Sequence, residues 1–274
     1  MYLEHFSLNC LPFDLLPDPK FLYFGKNHDT AITCLRYGIE SGAGFTVITG
    51  DIGAGKTTLI RAILDELSSE FLVGLVTNTH RDFGSLLEWM LLSFSLEYRN
   101  MSDMERYESL TDFFVESYAK GKRVVVIIDE AQNISAEDLE KLRVISNLNM
   151  DHHRILQIIL AGQPEFREVI SRPELRQFAQ RVTVDFHIGP IPIEEVGSYI
   201  RHRLQVAGNT EQIFTDKAIM AVGKFTNGVP RLINILCNNA LVYAFGLRQK
   251  VIDEEMLASV IADTNIIGRL PFER

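Results

Sequence analysis

Three cysteines, one tryptophan and no long apolar run mark what this 274-residue sequence does without. Cys10, Cys34 and Cys237 are isolated and odd in number, which leaves neither a disulfide framework nor a Cys/His zinc spacing. Buried free thiols in a reducing compartment are expected. The opening Met1-Tyr2-Leu3-Glu4-His5-Phe6 has neither the basic nor the apolar region of a secretion signal. The longest uncharged run, Leu232 to Leu247, contains three asparagines and falls short of the ~20 apolar residues that span a bilayer. A buried helix is expected there, and no membrane crossing anywhere. Positive charge is also in deficit. The 27 Lys and Arg stand against 36 Asp and Glu, a formal net charge of −9, which opposes broad adhesion to nucleic acid or anionic lipid without excluding a local basic patch. Seven histidines are scattered, and the pair His152-His153 lies in a loop-like stretch where solvation is expected rather than metal binding. No long repeat or low-complexity linker interrupts the chain.

What is present is a normal cored composition, 46% hydrophobic and 23% charged, at a length that suits one sizeable α/β domain with a smaller satellite. Five short β-branched runs stand out: Phe45–Thr49, Leu72–Thr77, Arg123–Ile128, Ile155–Ala161 and Val182–Ile188. The first, third and fourth are nearly all apolar, as parallel strands covered on both faces should be. Helical patterns separate the runs: Thr58–Leu67, Leu86–Leu96, Met104–Ala119 and one opened by Ser135 and Asp138 as a capping box. The alternation predicts a doubly wound parallel sheet. After Gly189-Pro190-Ile191-Pro192 no strand pattern follows. Four helices are predicted instead, over Glu194–Val206, Asp216–Thr226, Pro230–Phe245 and Glu254–Ala262, with Thr215 and Asp253 as N-caps and Asn227-Gly228 as a stop. The expected division is residues 1–189 for the sheet domain and 190–274 for a helical domain.

The strongest local signal is Gly50-Asp51-Ile52-Gly53-Ala54-Gly55-Lys56-Thr57, which meets the spacing G-x-x-x-x-G-K-[ST] between a predicted strand and a predicted helix. Glycines let backbone N–H groups converge on phosphate oxygens, and the helix N-terminus, with Thr58 in its first turn, adds positive partial charge. Lys56 would reach the β- and γ-phosphates of ATP, and the Thr57 hydroxyl would bind Mg²⁺. A second element, Val124-Val125-Val126-Ile127-Ile128-Asp129-Glu130, ends an apolar strand in two acids at the sheet edge where ligands of open α/β folds bind. Asp129 would hold Mg²⁺ through water, and Glu130 would orient and polarise the attacking water.

Three further features admit a bland reading beside the functional one. Gln163, after the fourth apolar run, is placed to report the γ-phosphate, or is a plain turn residue. Arg231, in Gly228-Val229-Pro230-Arg231 at a helix start, would reach back to bound phosphates, or is a surface arginine. Of the arginines before the fifth strand, Arg181 is the first candidate and Arg176 the second for a finger acting on a neighbouring subunit's nucleotide; otherwise they face water on an ordinary helix. Trp89 reads as core, and Phe13, Phe21 and Tyr23 pack either beside an adenine or within a domain.

These residues together resemble one family, the AAA+ ATPases of the ExeA (GspA) type, over nearly the whole chain. The likeness is carried by Phe6-x-Leu8, Pro12-Phe13 and Pro17-Asp18-Pro19; by Gly44-Phe45; by Asp129-Glu130-Ala131-Gln132-Asn133 and Gly162-Gln163-Pro164-Glu165; and by Arg172-Pro173-Glu174-Leu175-Arg176 and Gly228-Val229-Pro230-Arg231-Leu232-Ile233-Asn234. Leu35-Arg36-Tyr37-Gly38 and the length look most similar to members found with exosortase and exopolysaccharide-export loci. The resemblance implies a P-loop AAA+ three-layer α/β/α domain, a five-stranded parallel sheet of order 5-1-4-3-2 and a small all-helical lid. It also implies the sensor, lid and finger roles above, and nucleotide-linked assembly into homo-oligomeric rings or filaments. GspA-type proteins continue into a membrane segment and a peptidoglycan-binding part, whereas this chain stops at Arg274; a stand-alone member or an excised ATPase part is expected, and peptidoglycan binding does not transfer.

The expectation is therefore a Mg²⁺-dependent ATP hydrolase that is cytoplasmic, recruited to the inner membrane by partners, and engaged in assembling an envelope secretion or export system. Two alternatives stay open: an ATP-dependent DNA-binding regulator like the TniB/TnsC transposition proteins, and a non-catalytic nucleotide switch. The negative charge counts against the first, and the presence of both Lys56 and Glu130 against the second.

Overall fold

Strand burial follows each strand's place in the sheet. The computed structural model describes residues 1–67, 69–77, 84–150 and 153–263, and its strands are β1 (Phe45–Gly50), β2 (Phe71–Val76), β3 (Arg123–Ile128), the two-residue pair β4 (Asn149–Met150) and β5 (His153–Arg154), β6 (Leu156–Gly162) and β7 (Val182–Ile188). Five of them form one sheet in the order β2-β3-β6-β1-β7, every pairing parallel. Leaving out the separate antiparallel β4–β5 pair, this is the expected order 5-1-4-3-2 read from the other end. The three nearly all-apolar runs occupy the centre and are buried along almost their whole length, while β7, with its polar residues, and β2, apolar but paired on one side only, form the half-exposed edges. His152 lies outside the described residues.

The helices are α1 (Lys26–Glu40), α2 (Lys56–Glu66), α3 (Leu86–Ser93), α4 (Asp103–Ala119), α5 (Ala136–Ile145), α6 (Glu165–Ile170), α7 (Arg176–Ala179), α8 (Ile193–Val206), α9 (Asp216–Thr226), α10 (Pro230–Gly246) and α11 (Glu254–Asp263). Several ends differ from expectation for local reasons. The α3 helix stops at Ser93 instead of Leu96, because Ser95 turns left-handed at φ 58° and the Leu96 N–H returns to the Leu91 carbonyl at 3.0 Å. Ser85 with Glu88 and Ser102 with Glu105 form full capping boxes at the starts of α3 and α4. At α5 the Ser135 hydroxyl accepts the Asp138 N–H at 3.0 Å.

Contacts divide the chain into two compact units, Thr30–Asp51 with Ala62–Ile188, and Met1–Asp29 with Ile52–Arg61 and the chain from Gly189 on. The first holds the sheet. Its core joins Val47, Val126, Ile128 and Leu160 of the strands to Phe114, Leu142, Phe166 and Phe178 of the helices, and Trp89 packs against it, partly buried. The second unit is helical, with a core of Ile200, Leu204, Val222, Ile233, Leu236, Cys237 and Leu257. Phe13 and Phe21 are buried in that core at 2% and 9% exposure, and Tyr23 packs on it edge-on to Tyr199. Of the two uses open to these aromatics, packing is what the structure displays.

One buried cation ties the N-terminal stretch to α8. Arg203 is 7% exposed. Its Nε donates to the Pro12 carbonyl at 2.5 Å, Nη2 to the Asp14 carbonyl at 3.2 Å and Nη1 to the Tyr199 hydroxyl at 3.1 Å, while the guanidinium carbon sits 4.8 Å from the Phe21 ring centre. Burial pushes the ionisation of Tyr199 upward, so its hydroxyl stays a neutral relay that donates to Asn234 Oδ1 at 2.8 Å. Replacing Arg203 by Leu would leave two buried acceptors, the Pro12 carbonyl and the Tyr199 hydroxyl, without their donor, each costing about 1–3 kcal/mol. Chemical denaturation of Arg203→Leu is expected to show a loss of roughly 3 kcal/mol or more in stability; an unchanged midpoint would remove Arg203 as the pin.

Candidate functional site

The carboxyl ends of four neighbouring strands lie level. Thr49 of β1 is in register with Gly162 of β6 and with His187 of β7, and Ile128 of β3 with Leu160 of β6. Gly50-Asp51, Gly162-Gln163 and Asp129-Glu130 therefore leave the sheet along one edge. Thr49 is fully buried, and its hydroxyl meets His187 Nδ1 at 3.1 Å beneath that edge.

From Asp51 the chain runs into the glycine-rich loop, within which Ile52 is 64% exposed and Ala54 is buried. Gly53 and Gly55 have φ of 83° and 95°, the alternation of hands that folds successive peptides into an anion-binding nest. At Gly53 a Cβ would also collide with Cβ of Arg231, so both its backbone angle and its neighbour demand glycine. Two carbonyls of the loop are held within the helical unit. The Gly53 carbonyl accepts the Arg231 N–H at 3.3 Å, and the Ala54 carbonyl lies 2.9 Å from His28 Nε2. A carbonyl only accepts, so Nε2 of His28 carries the proton. In a trans peptide the C=O and the N–H point opposite ways. Each held carbonyl therefore turns the N–H of the next residue, Ala54 or Gly55, away from the group that holds it. Lys56 opens α2 and is 8% exposed, with Thr57 and Thr58 half-buried in the first turn.

The acids form a separate cluster in the sheet unit. Asp129 is 7% exposed and its Oδ1 accepts the Glu130 N–H at 2.9 Å. Glu130 is left-handed at φ 54°, a conformation that costs a non-glycine residue roughly 1–3 kcal/mol and collects at functional sites. Its Oε2 accepts from Gln132 Nε2 at 2.6 Å and from Gln163 Nε2 at 3.4 Å. The fold thus brings Glu130 and Gln163 together, with Gln132 between them. The Thr57 hydroxyl and the Asp129 carboxylate are hard oxygen donors, the ligand chemistry that Mg²⁺ prefers. Among the described residues no group of three or more His, Cys, Asp or Glu could hold a metal by itself.

The arginines fall elsewhere. Arg231 is exposed at the second position of α10, its stem lying along Gly53. Arg176 is exposed at the start of α7, and Arg181, half-buried, precedes β7. Val182 pairs with Phe45 at the start of β1. Arg181 therefore enters at the edge opposite Gly50, about 16 Å away at the usual rise per strand residue. The structure does not bring Arg181 to Glu130 of the same chain.

Residues 39–170 match the family of AAA domains. Over 246 residues the chain is 39% identical to General secretion pathway protein A of Aeromonas hydrophila, a match covering 89% of this chain and 45% of that protein. The chain carries an AAA domain of the GspA type. It spans less than half the length of that curated relative. Among solved structures, the ORC2 protein of Aeropyrum pernix is similar with a TM-score of 0.70 at 18% identity, covering 92% of this chain and 71% of that one. Cdc6p of Pyrobaculum aerophilum follows at 0.68 and 13%, covering 88% and 67%. Identities this low speak to the fold alone, and the fold is the expected P-loop AAA+ arrangement. Among the described residues no helix is long and apolar enough to cross a membrane.

Sequence reasoning passed over two residues at the site. Gln132 was only part of a motif, and His28, in Lys26-Asn27-His28-Asp29, carries no spacing signal that ties it to a loop 26 positions on. His28 is 4% exposed, and burial lowers its pKa against the opposing pull of the Ala54 carbonyl and Glu195. Below the ordinary histidine value of ~6.5 the unfolded chain binds a proton that the folded one refuses. Stability from this group is therefore complete above that pH and declines as pH falls beneath it. His28→Gln keeps an N–H donor and removes the titration. The acid-side loss of stability is expected to be smaller in His28→Gln than in the wild type, and identical pH profiles would contradict the placement.

Proposed function

We propose that the chain is a Mg²⁺-dependent ATP hydrolase whose nucleotide cycle drives or switches assembly of an envelope secretion or polysaccharide-export system. The observation that carries the hydrolase part is the glycine-rich loop with two carbonyls held back and its N–H groups turned the other way, a cradle for phosphate oxygens. The secretion part rests on similarity to General secretion pathway protein A, and the narrower link to exosortase or polysaccharide export on the sequence motifs.

In this reading the backbone from Gly50 through Gly55 wraps the phosphates, Lys56 neutralises the β- and γ-oxygens, and Thr57 and Asp129 hold the metal ion, Asp129 through water. Mg²⁺, when bound, spreads the charge that develops on the transferred phosphoryl group. Glu130 orients the attacking water and draws on its proton. Gln163 reads the presence of the γ-phosphate, and Arg231 reaches the phosphates from the helical part. Arg181, or failing it Arg176, supplies positive charge to the nucleotide of the next subunit in a ring or filament. A cytoplasmic site of action with recruitment to the inner membrane belongs to the same proposal, as does a division at residues 1–189 and 190–274.

Complementation tests both the acid and the finger. Glu130→Gln is expected to bind ATP and hydrolyse it at least ~100-fold more slowly, since the amide cannot act as a base. Arg181→Ala should bind ATP and hydrolyse poorly, and wild-type activity per subunit should rise with protein concentration. Mixing the two variants should restore part of the activity, because one kind of interface then joins an intact Glu130 to an intact Arg181. A dead mixture together with flat wild-type activity per subunit would remove Arg181 and bring Arg176 forward.

A further inference from the structure

Gln132 spans the gap between the acid and the strand-end amide. It sits in the 3-10 turn Ala131–Asn133 that follows Glu130. Its Nε2 donates to Glu130 Oε2 at 2.6 Å, and its Oε1 accepts the backbone N–H of Gln163 at 2.9 Å. The Gln163 side chain closes the ring through Nε2 to the same Glu130 oxygen at 3.4 Å. The absence of a side chain at Gly162 makes room for this. A Cβ there would press within 3.3 Å of Gln132 Oε1 and 3.1 Å of Phe166 Cβ.

The orientation of the Gln132 amide is fixed by its partners. A carboxylate accepts and a backbone N–H donates, so the NH₂ must face Glu130 and the carbonyl must face Gln163. The amide is a rigid plane, and moving one end moves the other. Glu130 itself hangs from a left-handed backbone position, and its side chain has a terminal torsion with a broad, shallow preference. Two amide donors on a single oxygen fix the plane of that carboxylate.

We propose that Gln132 is the positioning residue of this site: it sets the plane of the Glu130 carboxylate and makes Glu130 follow the end of β6 at Gln163. The role rests on the hydrolase reading above and adds to it a mechanical link. A shift of the Gln163 backbone pulls the Gln132 carbonyl, turns the amide and re-aims Glu130. A general base delivers its rate only in a narrow geometry, and a displacement of about 1 Å can cost ~100-fold.

The test uses Gln132→Met, which keeps length and bulk without hydrogen bonds, and Gln132→Glu, which keeps an acceptor for the Gln163 N–H but sets a second carboxylate against Glu130. Both are expected to lower kcat roughly 10- to 100-fold, with the Kd for ATP within about twofold of wild type and an unchanged thermal midpoint. In a Glu130→Gln background, Gln132→Met should lower the residual rate no further, because its effect passes through the acid. A hydrolysing wild type with an unaffected Gln132→Met would overturn the positioning role alone. So would an equal further loss in the Glu130→Gln background, or a parallel rise in Kd, either of which marks a structural residue. A wild type without ATP hydrolysis overturns the hydrolase reading and this role with it.

Discussion

A phosphate-binding loop must keep its N–H groups turned to one side, although an isolated glycine-rich segment has every freedom to turn them elsewhere. Here the constraint comes from behind. The Arg231 N–H and the His28 imidazole hold the carbonyls of Gly53 and Ala54, and the rigid trans peptide converts each held carbonyl into an aimed N–H. The entropy that the glycines would otherwise retain is removed before any ligand arrives, which is preorganisation in its most local form. Because one holding group is the first turn of α10, a displacement of that helix relative to the loop would release the Gly53 carbonyl and loosen the cradle. The loop and the start of α10 are thus mechanically one piece.

The acid cluster follows a complementary logic. Asp129 is buried at the strand end, and Glu130 sits in a strained backbone conformation held by a ring of amides. Strain at such a position persists only where the surroundings over-determine it. The ring does so with hydrogen bonds to a charged group, which are stronger than those between neutral partners. Both clusters use main-chain geometry to aim a functional group and side chains to keep it aimed.

Much of this was legible in the sequence, and the reasons for the remainder are specific. Val47, Val126 and Leu160 belong to runs so uniformly apolar that only doubly covered strands could accommodate them, so the central strands were readable from composition. Their lateral order was not, and it came from the likeness to a family. The early stop of α3 at Ser93 was hidden because the left-handed residue that ends it is a serine, which lacks the signal a glycine would give. The place of Phe13 and Phe21 in the helical core could not be read because an N-terminal stretch whose one helical piece is the three-residue 3-10 turn Pro19–Phe21 has no periodicity to follow. The P-loop and the acidic pair were readable because their spacing is itself the chemistry. His28 and Gln132 were not, because each acts across a distance in sequence, or through an amide, that no spacing rule encodes.

The central claim is that the loop recognises phosphate through backbone N–H groups aimed by the carbonyls of Gly53 and Ala54. Equilibrium binding of AMP, ADP and ATP, each with Mg²⁺, tests it most directly, since the three share a base and a sugar and differ only in the phosphates beyond the first. An aimed cradle predicts that ADP and ATP bind at least ~100-fold more tightly than AMP, as several charge-assisted hydrogen bonds are gained with the β-phosphate. Equal affinity for all three would place recognition on the nucleoside and contradict the cradle.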